Sequence, residues 1–312
     1  MLSSFNSLVP IFTLIALGFI LRKSGLIKND QWRGVELICF WLLFPALLIT
    51  TLVNAELSVG ELAPFAMALF AMIVAMTLIV WLARKPLSNM WNVKGPAFTT
   101  IFQTSTRWHG FIAFAIVDDL FGAKGLAILA IAFIVIVPYI NVVNIMVLAT
   151  YAGKEKASFK KVAVTIIKNP LIIGITIGII LKLSNFELPE PIFTTLELLG
   201  RGALGISLLA LGAGISWIAL KKSGKEVIFA SIMRLIVTPV FAVGFGLAFG
   251  VSGDIFIILI IAASVPTAVN GYILARTMGG DAELYAATSS AQVIISFFSL
   301  PLIIWLATKF IT

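Results

Sequence analysis

The sequence predicts an all-α integral membrane protein of ten transmembrane helices, built as a 5+5 inverted repeat in which helices four and nine are broken and cross. Three observations predict it. The 312-residue chain is 60% hydrophobic and only 12% charged, with a mean hydropathy of +1.10, far outside the usage of soluble domains. Its apolar residues fall into ten runs, each near the roughly 20 residues that an apolar layer of about 30 Å requires. The two halves of the chain also align with each other at a nearly constant offset.

In order, the predicted spans are 7–22, 34–53, 62–83, 96–117, 125–150, 165–183, 192–219, 227–250, 255–276 and 284–307. Basic residues crowd alternate connections. Arg22, Lys23, Lys28 and Arg33 follow span one; Arg84, Lys85 and Lys94 follow span three; Lys154, Lys156, Lys160, Lys161 and Lys168 follow span five; Lys221, Lys222 and Lys225 follow span seven; Arg276 closes span nine. The remaining connections and termini carry only Lys124, Lys182 and Lys309 and lean acidic, with Glu56, Glu61, Asp118, Asp119, Glu187, Glu190 and Asp254. The positive-inside rule therefore expects both termini on the outer, periplasmic side of the cell membrane. The net charge of +8 follows from the same topology and gives no reason to expect nucleic acid. The first charges come after the first apolar stretch, so that stretch is expected to stay as a span and not to be cleaved as a signal peptide.

Internal repetition supplies the architecture. A shift of 160 places Pro10 on Pro170, Gly18 on Gly178, Arg22 on Lys182 and Ser24 on Ser184; a shift of 161 places Glu36 on Glu197 and His109-Gly110-Phe111-Ile112 on Asn270-Gly271-Tyr272-Ile273. The division is 1–151 for the first five-helix repeat, 152–164 for a short cytoplasmic linker and 165–312 for the second repeat. Five spans is an odd number, so the second repeat inserts upside down, the build of secondary transporters that expose one midplane site to either side.

Two segments carry the chemistry. Span four holds Gln103-Thr104-Ser105-Thr106-Arg107-Trp108-His109-Gly110, and span nine holds Ser264-Val265-Pro266-Thr267-Ala268-Val269-Asn270-Gly271-Tyr272. Proline removes a backbone donor and glycine relaxes the chain, so both segments are expected to unwind and free their amides. Half-helix N-termini there attract anionic groups. The candidate substrate-binding residues are Thr106, Arg107, His109, Gly110, Pro266, Thr267, Asn270, Gly271 and Tyr272, with Asn141 of span five and Gln292 of span ten as further amides. An arginine at mid-membrane is costly enough to face a cavity or an acidic partner, and its planar fork suits a carboxylate. His109, the only histidine, cannot build a metal site alone; it is either a hydrogen-bonded helix contact or a substrate donor and proton carrier.

Other residues have plainer readings. Glu197 and Arg201 are spaced for a helical ion pair. Arg234, about two turns into its span, is read as snorkelling to the cytoplasmic interface, with no chemical role. Gly200-Arg201-Gly202-Ala203-Leu204-Gly205 matches a dinucleotide fingerprint literally, but no strand precedes it, so close helix packing is its reading. The single Cys39 excludes a disulfide framework. No HExxH, GxSxG or paired intramembrane aspartates occur, which argues against an enzyme, and no cofactor is implied.

The run from Leu8-Val9-Pro10-Ile11-Phe12 to Arg22-Lys23-Ser24-Gly25, Phe44-Pro45-Ala46-Leu47-Leu48, Asn169-Pro170-Leu171 and Pro266 to Gly280 closely resemble the auxin efflux carrier family over essentially the whole chain. The resemblance implies a scaffold of spans one, two, six and seven, a mobile transport domain of the rest, organic anions such as malate as substrates, an elevator-like motion and a homodimer. By resemblance Asn270 falls on a substrate contact, whereas His109 stands where relatives usually place asparagine. The short linker looks like the bacterial branch. The alternatives are a sodium-coupled symporter of bile-acid type, with Gln103, Thr106, Ser264 and Thr267 as oxygen ligands, and a carrier of a neutral solute. H+ or Na+ is the expected coupling ion if there is one.

Overall fold

The computed structural model describes residues 2–55, 59–153, 163–164, 166–184, 186–221 and 224–310, and all regular structure among them is helical. Glu56, Lys222 and the linker lysines Lys154, Lys156, Lys160 and Lys161 lie outside the described residues. Helix α1 is Leu2–Lys23. Helices α2 (Asn29–Ile38) and α3 (Phe44–Val53) run on through one wide π turn, Cys39–Leu43. Pro45 explains the wide turn: its ring cannot donate and obstructs the carbonyl four residues back, and one extra residue in the turn relieves both problems. The same device recurs where α11 (Lys225–Ile232) passes through the π turn Met233–Val237 into α12 (Thr238–Ala248), with Pro239 just beyond it. There Thr238 Oγ1 donates to the Met233 carbonyl at 2.8 Å.

Helix α4 (Val59–Leu82) is followed by α5 (Arg84–Trp91), where the sequence predicts only a charged connection. This short helix buries Leu87, leaves Lys85 exposed and stops at Asn92, which takes the left-handed conformation. Helix α6 is Gly95–Thr106 and α7 is Gly110–Tyr151. Gly122, at φ 57°, interrupts α7 between the predicted fourth and fifth spans. The rest of the chain forms α8 (Pro170–Ser184), α9 (Glu190–Ala213), the single turn α10 (Trp217–Lys221), α13 (Gly253–Ser264), α14 (Gly271–Met278) and α15 (Ala282–Phe310). Among the described residues six stretches are long and apolar enough to cross a membrane: Asp30–Val53, Leu62–Trp91, Gly95–Tyr151, Glu190–Ala213, Lys225–Ala248 and Ala282–Lys309. The molecule is a multi-pass membrane protein. Pro170–Ser184 and Gly253–Ser264 are apolar but shorter.

Two helix pairs form the most extensive packing, α1 on α9 and α3 on α8. Both approach closely through glycine. A β-carbon at Gly18 would overlap the Leu209 carbonyl, and one at Gly212 the Ile15 carbonyl, so α1 and α9 meet backbone to backbone. In the other pair a β-carbon at Gly178 would lie 2.9 Å from Leu52 Cβ and 3.3 Å from Ile49 Cα. Arg22, at the end of α1, donates to the carbonyls of Ala213 and Ile215 that close α9, where a cation complements the helix dipole. On the exposed surface of α9, Arg201 pairs with Glu197 at 3.0 Å, as its spacing predicts; exposed pairs of this type contribute at most about 1 kcal/mol. Against α1 and α3 sit aromatic contacts from the rest of the molecule. Phe12 meets Phe297 edge-on at 5.0 Å, and Phe44 stacks on Phe111 at 3.9 Å.

Candidate substrate site

Helices α6 and α13 both stop inside the protein, surrounded by buried residues. Each is followed by a residue in the same extended conformation, Arg107 (φ −70°, ψ 150°) and Val265 (φ −70°, ψ 151°). Helix resumes at Gly110 and Gly271. The first break is thus residues 107–109 and the second 265–270. A shift of 161 aligns the two restarts but not the two stops, so the second break is the longer. Pro266 lies in that longer one. The first has no proline; there Thr104 and Thr106 direct their hydroxyls back to the carbonyls of Thr100 and Phe102, each at 2.8 Å, which competes with helical bonding.

Polar groups crowd the first break without all being paired. Arg107 is buried at 7% exposure; its Nε donates to Gln103 Oε1 at 3.3 Å, and it makes no ion pair with a described carboxylate. Thr106 Oγ1, which directs its proton to the Phe102 carbonyl, also lies 3.4 Å from Asn144 Oδ1. Trp108 packs on Phe133, which also fills the space beside Gly110, and His109 lies edge-on to Phe111. Gln103 Nε2, Ser105 Oγ, His109 Nδ1 and Asn144 Nδ2 are buried with no hydrogen-bond partner among the described residues. Buried polar groups are nearly always paired, by protein or by ordered water, so these four are the groups at this break that protein contacts leave unsatisfied.

The second break is braced from three sides. Gln292, fully buried on α15, accepts from the Thr267 amide at 2.9 Å and donates to the carbonyls of Thr104 and Ala230 at 3.0 and 3.3 Å. One side chain therefore ties the end of α6, the second break and α11 together. Tyr285, also on α15, donates to the Ala268 carbonyl, shares a contact with Thr267 Oγ1 and covers Gly271. Arg234 overturns its sequence reading: it is 1% exposed and does not snorkel, because Nε donates to the Val265 carbonyl at 2.8 Å and a terminal nitrogen to the Ala262 carbonyl at 3.3 Å. Gln292→Leu should lower the melting temperature of the purified protein by several degrees, since it strands the buried Thr267 amide at about 1–3 kcal/mol and removes the bonds that tie α15 to the Thr104 and Ala230 carbonyls. An unchanged melting curve would mean that water takes over the bridge.

The structure brings Thr106, Arg107, His109 and Gly110 together at the first break, and Pro266, Thr267 and Gly271 at the second, with Gln292 between them. Asn270 and Tyr272 lie at the start of α14 with exposed side chains. Asn141 is half-buried and makes no hydrogen bond among the described residues; Asn144, one turn on, makes the contact to Thr106. Asn144, which the sequence offers beside Asn141 as a cavity amide or an interhelical contact, is the one of the two that reaches Thr106, whereas Arg234 and Tyr285 have no such reading in the sequence. The signal for Tyr285 was present, since it opens the polar run Thr288-Ser289-Ser290-Gln292 within an apolar helix.

Comparison with known proteins identifies relatives along nearly the whole chain. Residues 3–304 match the family described as membrane transport protein. An uncharacterized transporter of Methanothermobacter thermautotrophicus is 23% identical over 305 residues, covering 96% of this chain and 97% of the relative. The uncharacterized transporter YfdV of Escherichia coli is 22% identical over 300 residues, covering 93% and 92%. The uncharacterized transporter MJ1031 of Methanocaldococcus jannaschii is 24% identical over 307 residues, covering 95% of each. The chain is a transporter and belongs to the membrane transport protein family, which is the auxin efflux carrier family that its motifs resemble.

Proposed function

We propose that this transporter is a secondary carrier of a small organic anion, a carboxylate, held between the two helix breaks and passed across the cell membrane by alternating access. The observation that carries the reading is Arg107: a buried guanidinium, without a described carboxylate partner, beside the unpaired donors Gln103 Nε2 and Asn144 Nδ2. A planar fork with adjacent amide donors fits a carboxylate, and a bound anion would supply the charge and acceptors that this cluster lacks. His109, with Nδ1 unpaired, is the group that would carry a proton along with it.

The ten-span, inverted-repeat arrangement belongs to the same proposal. Dividing Gly95–Tyr151 at Gly122 and joining α13 with α14 across its break yields the predicted count once α1 and α8 are included. Packing supports the repeat, because an exchange of spans one and two with six and seven turns the α1–α9 pair into the α8–α3 pair and Gly18 into Gly178. In this reading residues 1–151 and 165–312 are the repeats, and α1, α3, α8 and α9 form the scaffold. The other helices move elevator-like against it, sliding across contacts such as Phe44 on Phe111. A homodimer in the inner membrane with both termini outside completes it.

The test is uptake of labelled mono- and dicarboxylates into proteoliposomes under a proton gradient, a sodium gradient or neither. Saturable uptake of one acid is expected. If none is taken up while a neutral solute is, the anion reading is wrong.

A further inference from the structure

The two buried arginines are used differently. Arg107 spends one donor on a side chain, whereas Arg234 points Nε and a terminal nitrogen at backbone carbonyls, Val265 and Ala262, where α13 ends. The last carbonyls of a helix have no intrahelical donor and carry its negative partial charge. Unwound carbonyls of this kind, with nearby hydroxyls such as Thr267 Oγ1, are the oxygen set from which transporters build sodium sites. Here that set is already faced by a positive charge from the same chain. The π turn Met233–Val237 carries Arg234, and Arg234, like Arg107, makes no ion pair with a described carboxylate. Among the described residues its charge is therefore met by the helix end alone.

We propose that Arg234 is a tethered cation, seated on the second break where a free monovalent cation would otherwise bind, so that this break holds its shape without sodium or potassium. It acts as a positioning residue, fixing the Val265 and Ala262 carbonyls and, through them, the segment that leads to Thr267 and Asn270. The inference concerns the second break alone and holds whatever solute the first break takes.

The test needs no substrate, so its failure is separate from failure of the anion reading. The melting temperature of the purified protein in detergent is measured in choline, sodium, potassium and guanidinium chloride at matched ionic strength. The wild type should melt within about 1 °C in choline, sodium and potassium. Arg234→Ala should melt lower in choline, by on the order of 5 °C, and should regain at least half of that loss in sodium or in millimolar guanidinium. Arg234→Lys and Arg234→Gln cover the case in which the alanine variant does not fold: the lysine, which keeps the charge, should melt closer to wild type than the glutamine. A wild-type melting temperature that rises in sodium but not in choline, a loss in Arg234→Ala that no cation reduces, or a glutamine variant as stable as the lysine would each overturn the proposal.

Discussion

Gly212→Val should leave no folded protein to extract from the membrane. At this position even one added carbon overlaps the Ile15 carbonyl, and Gly18 faces Leu209 in the same way one turn along the interface. The obstacle is backbone on both sides, so no rotamer change relieves it. Helices α1 and α9 would have to separate, and Arg22 would lose its hold on the Ala213 and Ile215 carbonyls. Overpacking a flexible core costs about 1–3 kcal/mol; forcing apart two rigid backbones costs more, and a whole domain is stable by only about 5–15 kcal/mol. Fluorescence-detected gel filtration of detergent extracts checks it. Gly244→Val on α12, where an added β-carbon meets nothing within 4 Å, is the control that should elute as wild type. A monodisperse Gly212→Val peak of normal height would show that the two helices have slack.

Arg107→Ala should reduce saturable carboxylate uptake at least about 30-fold without lowering the melting temperature. Truncating one partner of a desolvated charge pair costs about 2–5 kcal/mol, and each 1.4 kcal/mol is tenfold in affinity. Among the described residues the guanidinium makes one long bond to Gln103 and no ion pair with a carboxylate, so its removal takes away an uncompensated buried charge. The combination is diagnostic. A structural arginine would lose stability along with transport, as Arg234 should; a substrate ligand loses transport alone. Arg107→Lys, which keeps the charge but not the fork, should fall between the two. Unchanged uptake by the alanine variant would remove Arg107 from the site.

The membrane class was readable because hydropathy is a bulk property that survives ignorance of packing. The two breaks were readable because Pro266, Gly271 and the polar run Gln103 to Arg107 are out of place in an apolar helix. What the sequence concealed depends on which way a helix faces. In a segment that is apolar all round, periodicity cannot distinguish lipid from neighbour, so Arg234 read as a residue near an interface and Asn141 could not be separated from Asn144. The unequal lengths of the breaks were hidden for a related reason. Aligning His109 with Asn270 matches the restarts of helix, whereas the stops are set by Pro266 on one side and by hydroxyls bonded back to their own turn on the other. The helix α5 was lost among charges that favour a loop, although Leu87 gave it an inner face.

The two buried arginines have an electrical consequence. Each lies on the bundle that, in the proposed mechanism, travels relative to the scaffold, and neither is neutralised by a described acid. A unit charge carried through the full membrane potential gains or loses about 2.3 kcal/mol per 100 mV. The empty bundle would then carry two positive charges through the field and the bundle loaded with a monoanion only one, so the potential of the cell acts most strongly on the return stroke. Without a proton on His109, voltage would then set the pace of the cycle; with one, the loaded and empty bundles carry equal charge and voltage favours neither stroke.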